Sequence, residues 1–292
     1  MHSLSLETKP KWRQVTVVGC GLIGSSFALA LKRRELCARI LGWDSSSAAL
    51  QEAIASGVIE DVDYCFSSSS PFESDLIYLA MPVLQIIKFL SEKAAQISNG
   101  TIVTDAGSTK SAICRSAREY LSGECDFLGG HPIAGSHLSG SRHATAELFE
   151  GASYVLINDG ASSPPAFERV RETIEALGAR VVIMSPAEHD RVLALVSHLP
   201  QLISNVLART VADQQDGNRL AAVAGAGFKD MTRLSESSWT IWRDVLATNP
   251  AQIAAALDLF IERFSAVRDE LINVQEAGDV ELLTLQRLFQ RH

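Results

Sequence analysis

Two short polar stretches of the chain carry side chains that are suited to acid–base chemistry. One is residues 105–110, with the sequence D-A-G-S-T-K, and the other is the glycine-rich run 129–140, which contains His131 and His137. An imidazole titrates near neutral pH, so His131 can accept a proton from a substrate hydroxyl. A structural role for this histidine fits its position as well. His131, His137 and His143 lie six residues apart, which matches no helical or hairpin ligand spacing, and we predict no metal site.

Ser108 comes shortly after a predicted strand at residues 101–105. Doubly wound sheets bind their ligands beyond the carboxyl ends of the strands, so Ser108 is a candidate ligand contact. Its hydroxyl could also cap the helix that we predict up to Leu121.

A basic side chain follows a glycine-containing break between predicted helices in the C-terminal half of the chain. Residues 225–233 read G-A-G-F-K-D-M-T-R and end on Arg233, nine residues before Trp242. At a break between helices, a guanidinium can hold a carboxylate with two hydrogen bonds. An exposed arginine beside a local acid fits the same spacing.

The residues that indicate a cofactor lie near the N-terminus. Residues 19–24 read G-C-G-L-I-G, between a predicted strand at 15–19 and a predicted helix at 25–34. In this context the glycines permit a tight turn, close approach of a pyrophosphate and close helix–strand packing, and the helix N-terminus attracts the phosphates. The predicted cofactor-binding residues here are Gly19, Gly21, Leu22, Ile23 and Gly24. A strained turn without a ligand is the alternative.

Asp44 occupies the next position of a dinucleotide site, at the end of a predicted second strand, residues 39–43. A carboxylate there accepts hydrogen bonds from ribose hydroxyls and repels a 2′-phosphate, which predicts NAD rather than NADP. Helix capping is a competing role for Asp44. FAD could use the same glycine pattern, but it leaves the second domain unexplained.

The order of the predicted elements indicates the fold class. Strands alternate with helices up to about residue 184, which predicts an α/β fold with a Rossmann-type doubly wound sheet covered on both faces. From residue 185 onward the apolar residues follow only a helical period. We therefore predict an NAD-binding domain at residues 1–184 and an all-helical domain at 185–292. The apolar stripe at 250–273 fits either a core helix or burial against a second subunit.

Composition and charge limit the partners and the compartment. The chain of 292 residues has 34 acidic and 26 basic side chains, a net charge of −8, which argues against a nucleic-acid partner. Five scattered cysteines without a C-x-x-C pair favour a reducing cytoplasm. The uncharged run 15–31 follows basic residues, as in a signal sequence, but three glycines interrupt it and it is too short to span a bilayer. We predict a cytoplasmic protein without a membrane partner.

An ordered set of motifs resembles the prephenate/arogenate dehydrogenase family of tyrosine biosynthesis. The motifs are G-C-G-L-I-G-S-S (19–26), D-A-G-S-T-K (105–110), G-H-P-I-A-G-S-x-x-S-G (130–140), S-H-L-P (197–200), G-F-K-D-M-T-R (227–233) and W-R-D (242–244). The resemblance covers about residues 14–275. It implies oxidative decarboxylation of prephenate to 4-hydroxyphenylpyruvate with NAD, and a homodimer formed through the helical domain.

The resemblance also implies a role for each matching residue. His131 would accept the hydrogen bond of the ring hydroxyl, and Ser108 would orient that hydroxyl and the nicotinamide. Arg233 would bind a substrate carboxylate, His198 would lie in the cleft, and Trp242 would close the pocket.

Two positions depart from the commoner family pattern. His137 stands where many members have Glu, and Gln201 stands where many have a second His. Both are expected near the substrate. The missing carboxylate at 137 removes a partner for an ammonium group, which favours prephenate, with arogenate as the alternative substrate. A different β-hydroxyacid dehydrogenase would need a lysine as proton acceptor, and residues 187–212 contain none. An NAD-binding sensor without turnover is the third alternative.

Overall fold

The computed structural model describes residues 10–63, 73–134, 140–277 and 283–290. The chain separates into two compact units, of which the first is Met1–Asp190 with Ser237–Thr248 and the second is Arg191–Glu236 with Asn249–His292. The first unit thus contains residues 185–190 and a helix from the C-terminal part of the chain. The predicted domain boundary at residue 184 stays a prediction.

The strands belong to the first unit, and the helices are shared between the units. The strands are β1 (Trp12–Val18), β2 (Cys37–Trp43), β3 (Asp61–Val62), β4 (Leu76–Leu79), β5 (Ile102–Asp105), β6 (Asp126–Leu128), β7 (Gly130–Ile133), β8 (Ser153–Ile157) and β9 (Arg180–Met184). The helices are α1 (Leu22–Arg33), α2 (Ser47–Ala55), α3 (Val83–Lys93), α4 (Ser111–Tyr120), α5 (Pro164–Ala176), α6 (Pro186–Leu193), α7 (Leu199–Ala212), α8 (Gly217–Ala222), α9 (Ala226–Thr232), α10 (Trp239–Thr248), α11 (Pro250–Ala277) and α12 (Leu283–Phe289).

The main sheet has the strand order β3-β2-β1-β4-β5-β6, and all of its strands are parallel. This confirms the predicted Rossmann-type doubly wound sheet. A second sheet contains β7, β8 and β9, with β7 antiparallel and β9 parallel to β8. Strand β7 was not predicted, because its sequence G-H-P-I lacks the β-branched run that marks a strand.

Alternating side chains of the central strands form two apolar cores, one on each face of the sheet. Val15 and Val17 of β1 pack in the cluster that contains Phe27 of α1. Ile77 and Leu79 of β4 pack in the other cluster, together with residues of α3 and α4. The run 15–31 therefore lacks charged residues because most of its side chains, in β1 and α1, pack in these cores.

The second unit is helical in the described residues. Between α6 and α7 the helix widens into a π-turn at Ala194–His198, just before Pro200, whose missing N–H and ring do not fit a regular helical ladder. By length and composition the continuous run Pro186–Ala212 could cross a membrane, since an 18-residue window has a mean hydropathy of 1.2, although only 28% of that window is buried.

The long helix α11 buries its first turns and exposes the later part of its apolar stripe. Ile253 is buried, whereas Ile261, Phe264 and Leu271 are all more than half exposed. The core-helix interpretation of this stripe is therefore wrong for the single chain beyond its first turns. Large apolar side chains left exposed at helical spacing are typical of a surface that another protein covers.

The turn between β1 and α1 depends on three glycines with different surroundings. Gly19 has φ +98°, and a Cβ there would overlap the carbonyl of Ala80. A Cβ at Gly24 would overlap the carbonyl oxygen of Gly19 and approach Val17 Cγ1 at 2.9 Å. A Cβ at Gly21 would meet nothing within 4 Å, so this glycine faces open space.

Gly24→Ala is expected to destabilise the protein by about 1–3 kcal/mol, because the added methyl group forces helix and strand apart. Urea denaturation measures this change. Gly21→Ala is the matched control, since its methyl group enters open space and the change at a helix N-cap costs less than about 1 kcal/mol. Equal stability of the two variants would contradict the close packing at Gly24.

Candidate active site

A cavity of about 360 Å³ lies at the carboxyl edge of the main sheet, within the first unit. Three loops line it: residues 21–23 after β1, residues 80–83 after β4, and residues 106–108 after β5. Ile241 and Val245 of α10 line another side. Parallel sheets bind ligands at this edge, because the strand ends and helix N-termini meet there.

Asp44 lines a smaller cavity of about 170 Å³, together with Gly19, Gly21 and Trp43. One carboxylate oxygen of Asp44 accepts a hydrogen bond from the Cys20 amide at 2.9 Å, and the other accepts from the Ser46 amide at 2.8 Å. The N-cap of α2 is Ser46, whose hydroxyl accepts from the Ala49 amide. Asp44 thus ties the glycine turn to the end of β2.

A buried ion pair joins the end of β5 to the start of β7. Asp105 and Lys110 are fully buried, and the Lys110 ammonium contacts the Asp105 carboxylate. Asp105 also accepts hydrogen bonds from the amides of Gly107 at 2.8 Å and Gly130 at 3.0 Å. Lys110 Nζ donates to the carbonyl of Gly130 at 2.7 Å. The loop with Ser108 and the strand with His131 are therefore held by the same two charges.

Ser108 lines the cavity and does not cap helix α4. The helix begins at Ser111, two residues later than the capping interpretation requires, and its N-cap is Lys110. The carboxylate of Asp190 accepts hydrogen bonds from the amides of Lys110 at 2.7 Å and Ser111 at 2.9 Å. An acid that is distant in sequence satisfies the helix start, which leaves the Ser108 hydroxyl for other partners.

His131 lies on β7 and contacts a second histidine. Its Nδ1 is 2.9 Å from Nε2 of His189, and the two rings lie 5.1 Å apart between centroids. His189 Nδ1 is in turn 2.9 Å from a carboxylate oxygen of Asp190. Both His189 and Asp190 are buried. The three side chains form a continuous hydrogen-bonded series from the helix start to β7.

Burial and neighbouring charges shift the ionisation of this series. Burial lowers the pKa of His189, and the nearby Lys110 ammonium acts in the same direction against the opposing effect of Asp190. Burial alone would raise the pKa of Asp190, but hydrogen bonds from His189, Ser111 and the Lys110 amide lower it overall. The favoured state is an ionised Asp190 beside a neutral His189.

The remaining predicted substrate residues are distributed over both units. In the second unit, His198 is buried with its Nδ1 3.4 Å from Asn249 Nδ2, and Gln201 is buried and donates to the carbonyl of Leu234 at 2.6 Å. Arg233 is exposed at the start of a 3-10 turn, Arg233–Glu236. Trp242 belongs to the first unit and is half-buried on α10. His137 lies outside the described residues.

Sequence reasoning missed the roles of His189, Asp190 and Asp244. The first two lie near the start of α6, where the Glu188 amide donates to Ser185 Oγ at 3.2 Å. Asp244 is buried and accepts from the Leu84 amide at 3.1 Å, near the start of α3. The only sequence signals were an H-D pair and the W-R-D motif, and neither reveals its partners.

Models of one protein family match most of the chain. The model described as prephenate dehydrogenase, nucleotide-binding domain, matches residues 27–183, and the model described as prephenate dehydrogenase, dimerization domain, matches residues 185–290. The chain is 35% identical over 256 residues to a prephenate dehydrogenase of Bacillus subtilis, covering 87% of this chain and 69% of that relative.

Solved structures show the same relationship at the level of the fold. A prephenate dehydrogenase from Aquifex aeolicus, in complex with hydroxyphenyl propionate and NAD+, has a TM-score of 0.85 and 28% identity, covering 97% of this chain and 98% of that one. An arogenate dehydrogenase from Synechocystis has a TM-score of 0.77 and 28% identity, covering 94% and 96%. From these matches, which together span most of its length, we conclude that the chain belongs to the prephenate dehydrogenase family.

Proposed function

We propose that this protein catalyses the NAD-dependent oxidative decarboxylation of prephenate to 4-hydroxyphenylpyruvate in tyrosine biosynthesis. The observation that carries the proposal is the geometry around Asp105, which joins the loop with Ser108 and the strand with His131 beside a cavity that the glycine turn also lines. Membership of the prephenate dehydrogenase family supports the same reaction.

The residues around the cavity fit a dinucleotide. Gly21 is the N-cap of α1 and has no side chain to accept from the first amides of the helix, so the amides of Leu22 and Ile23 suit a pyrophosphate. The open space at Gly21 lets the phosphates approach the backbone. Asp44, beside the neighbouring cavity, suits the ribose hydroxyls. Gly19 and Gly24 shape the turn. The Aquifex aeolicus structure contains NAD+.

The proposed chemistry uses few protein groups. His131 accepts the proton of the ring hydroxyl, and Ser108 orients that hydroxyl. NAD+ supplies the hydride acceptor. The carbon that bears the hydroxyl loses hydride, the bond to the ring carboxylate breaks, and its electron pair enters the ring, which becomes aromatic as CO2 leaves. Aromatisation makes the overall step irreversible.

Five side chains are proposed to recognise the substrate. Arg233 binds a carboxylate of the substrate, because a guanidinium offers two parallel N–H donors. His198, Gln201, His137 and Trp242 complete the substrate site. The buried amide of Gln201 already donates to the carbonyl of Leu234 and to Asn205 Oδ1, so it acts mainly by holding α7 against the turn that begins with Arg233.

We propose that the helical part, residues 185–292, forms the interface of a homodimer. The matching family model is described as a dimerization domain. The exposed apolar side chains of α11 and of the run Pro186–Ala212, such as Phe264, Val196 and Val206, are the kind of surface that a second subunit covers. We place the protein in the cytoplasm, where the four free thiols among the described residues would stay reduced.

Arogenate is the competing substrate, because an arogenate dehydrogenase is among the similar structures. The expected outcome with the purified protein is NADH formation at 340 nm with prephenate and a much smaller rate with arogenate. Chromatography should show 4-hydroxyphenylpyruvate with prephenate. Faster turnover of arogenate would reverse the substrate assignment, and inactivity with both would contradict the proposed function.

His131→Ala and Arg233→Ala should differ in which kinetic constant they change. His131→Ala is expected to lower kcat by roughly 10²–10⁴-fold with little change in NAD+ binding, because the proton acceptor is lost.

Arg233→Ala should chiefly raise KM for prephenate, because the salt bridge is common to ground and transition states. Arg219→Ala is the control for removing an exposed arginine of the second unit. Full activity of His131→Ala would show that another group accepts the proton.

Asp44→Asn should raise the ratio of kcat/KM for NADP+ to that for NAD+, since the negative charge that repels a 2′-phosphate is removed. The amide oxygen can still accept one of the two backbone hydrogen bonds, so the turn is disturbed less than by alanine. Asp61→Asn, an exposed carboxylate at the start of β3, is the control. An unchanged ratio in Asp44→Asn would count against the assignment of Asp44.

A further inference from the structure

We infer that His189 and Asp190 are positioning residues that select the tautomer of His131 in which Nε2 is unprotonated and can accept the substrate proton. This inference rests on the proposed function for its catalytic meaning, but the tautomer itself is a property of the protein without substrate. Neither residue was assigned a role by the motifs, and both lie in the first unit with His131.

Asp190 is the start of the series, because its orientation is determined by the backbone. Its two carboxylate oxygens accept from consecutive amides, Lys110 at 2.7 Å and Ser111 at 2.9 Å. The oxygen that faces Lys110 also lies 2.9 Å from His189 Nδ1. An ionised carboxylate can only accept, so Nδ1 of His189 must carry the hydrogen.

The hydrogen on His189 Nδ1 determines the next contact. A neutral imidazole that is protonated at Nδ1 presents a lone pair at Nε2. That lone pair faces His131 Nδ1 at 2.9 Å, so His131 donates in this contact and carries its own hydrogen on Nδ1. The lone pair of His131 is then at Nε2, the ring nitrogen that does not face His189. Each step follows from the one before, and the series starts at a backbone amide pair.

The charges around His189 favour its neutral form in this series. Lys110 and Asp105 form their ion pair on the neighbouring segment, and Asp190 and His131 are its hydrogen-bond partners. Burial lowers the pKa of His189, with Lys110 acting in the same direction. A protonated His189 would place a second hydrogen against His131 Nδ1 and reverse that contact, so its neutrality keeps the donor and acceptor order.

The proton balance of the proposed reaction fits this arrangement. The substrate O–H bond breaks and its proton forms a bond to His131 Nε2, while the electron pair of that O–H bond becomes the new C=O bond as hydride leaves the same carbon to NAD+. The electron pair of the bond that breaks as CO2 leaves then passes through the ring to this oxygen, which takes the proton back from His131 and becomes the phenol of the product. His131 becomes an imidazolium that still donates from Nδ1 to His189. Its positive charge faces a neutral ring backed by the Asp190 carboxylate, which stabilises it.

Nitrogen NMR on the protein labelled at histidine tests the tautomer without any substrate. The signals of His131 are identified as those that are missing from the spectrum of His131→Gln. In the wild type they should show a protonated Nδ1 and an unprotonated Nε2. Asp190→Asn removes the negative charge beside His189 and leaves one acceptor oxygen for two backbone amides, so the preference for a protonated Nδ1 should weaken in both rings. An unprotonated Nδ1 of His131 in the wild type would overturn the inference.

Kinetics of two His189 variants test whether the tautomer matters for turnover. In His189→Gln, the amide oxygen can still accept from His131 Nδ1, whereas His189→Leu removes the acceptor. We expect His189→Leu to lower kcat about 10²-fold, within the range for one positioned proton-transfer group. His189→Gln should recover most of the kcat that His189→Leu loses. KM for NAD+ should stay unchanged in both variants. Equal kcat for His189→Leu and the wild type would overturn the inference.

Asp126→Asn is the matched control for Asp190→Asn. Asp126 also accepts hydrogen bonds at a helix start, from the Ser163 amide and hydroxyl, but it lies outside the cavity. Its variant should keep kcat and the His131 tautomer. If Asp190→Asn fails to fold, the two His189 variants decide the question. If the wild type turns over neither substrate, the proposed function fails, while NMR still decides the tautomer.

Discussion

The site depends on the carboxylate of Asp105, which is fully buried at the end of β5. One side chain there accepts from the amides of Gly107 and Gly130 and pairs with the ammonium of Lys110. A buried charge without partners would be strongly unfavourable, so these partners must stay in place. The same contacts thereby hold the loop with Ser108 and the strand with His131 at a constant separation. The local order of the site follows from the need to satisfy this one charge.

A second acid extends the same principle. Asp190 satisfies the amides at the start of α4 from a helix that is some 80 residues away in the chain. In doing so it connects the first helix after the last strand to the loop that contains Ser108. Asp244 does the same for α3 by accepting from the Leu84 amide. The starts of α3 and α4 are thus satisfied by acids distant in sequence, which leaves the residues of the preceding loops available to ligands.

Much of the fold and part of the site followed from local patterns. The strand–glycine–helix pattern at residues 12–33, the parallel sheet, and the change to helices after residue 184 all rest on periodicity and glycine positions. Gly19 and Gly24 were predictable because a positive φ and a close helix–strand contact exclude other residues. Ser108 was expected at the ligand edge because it follows the end of a predicted strand, and it lines the cavity there. The role of His131 stays a prediction.

The sequence by itself determined the alternation of strands and helices, the glycine turn and the polar residues proposed for the site, since these depend on neighbours within a few positions. Only the tertiary structure decided which partners they have. Nothing in the spacing of 131, 189 and 190 places two imidazoles and a carboxylate in one series. Likewise Ser108 was open to a capping role until the chain brought Asp190 to the helix start. Hydrogen bonds between distant segments arise from how the elements pack, and periodicity carries no information about that packing.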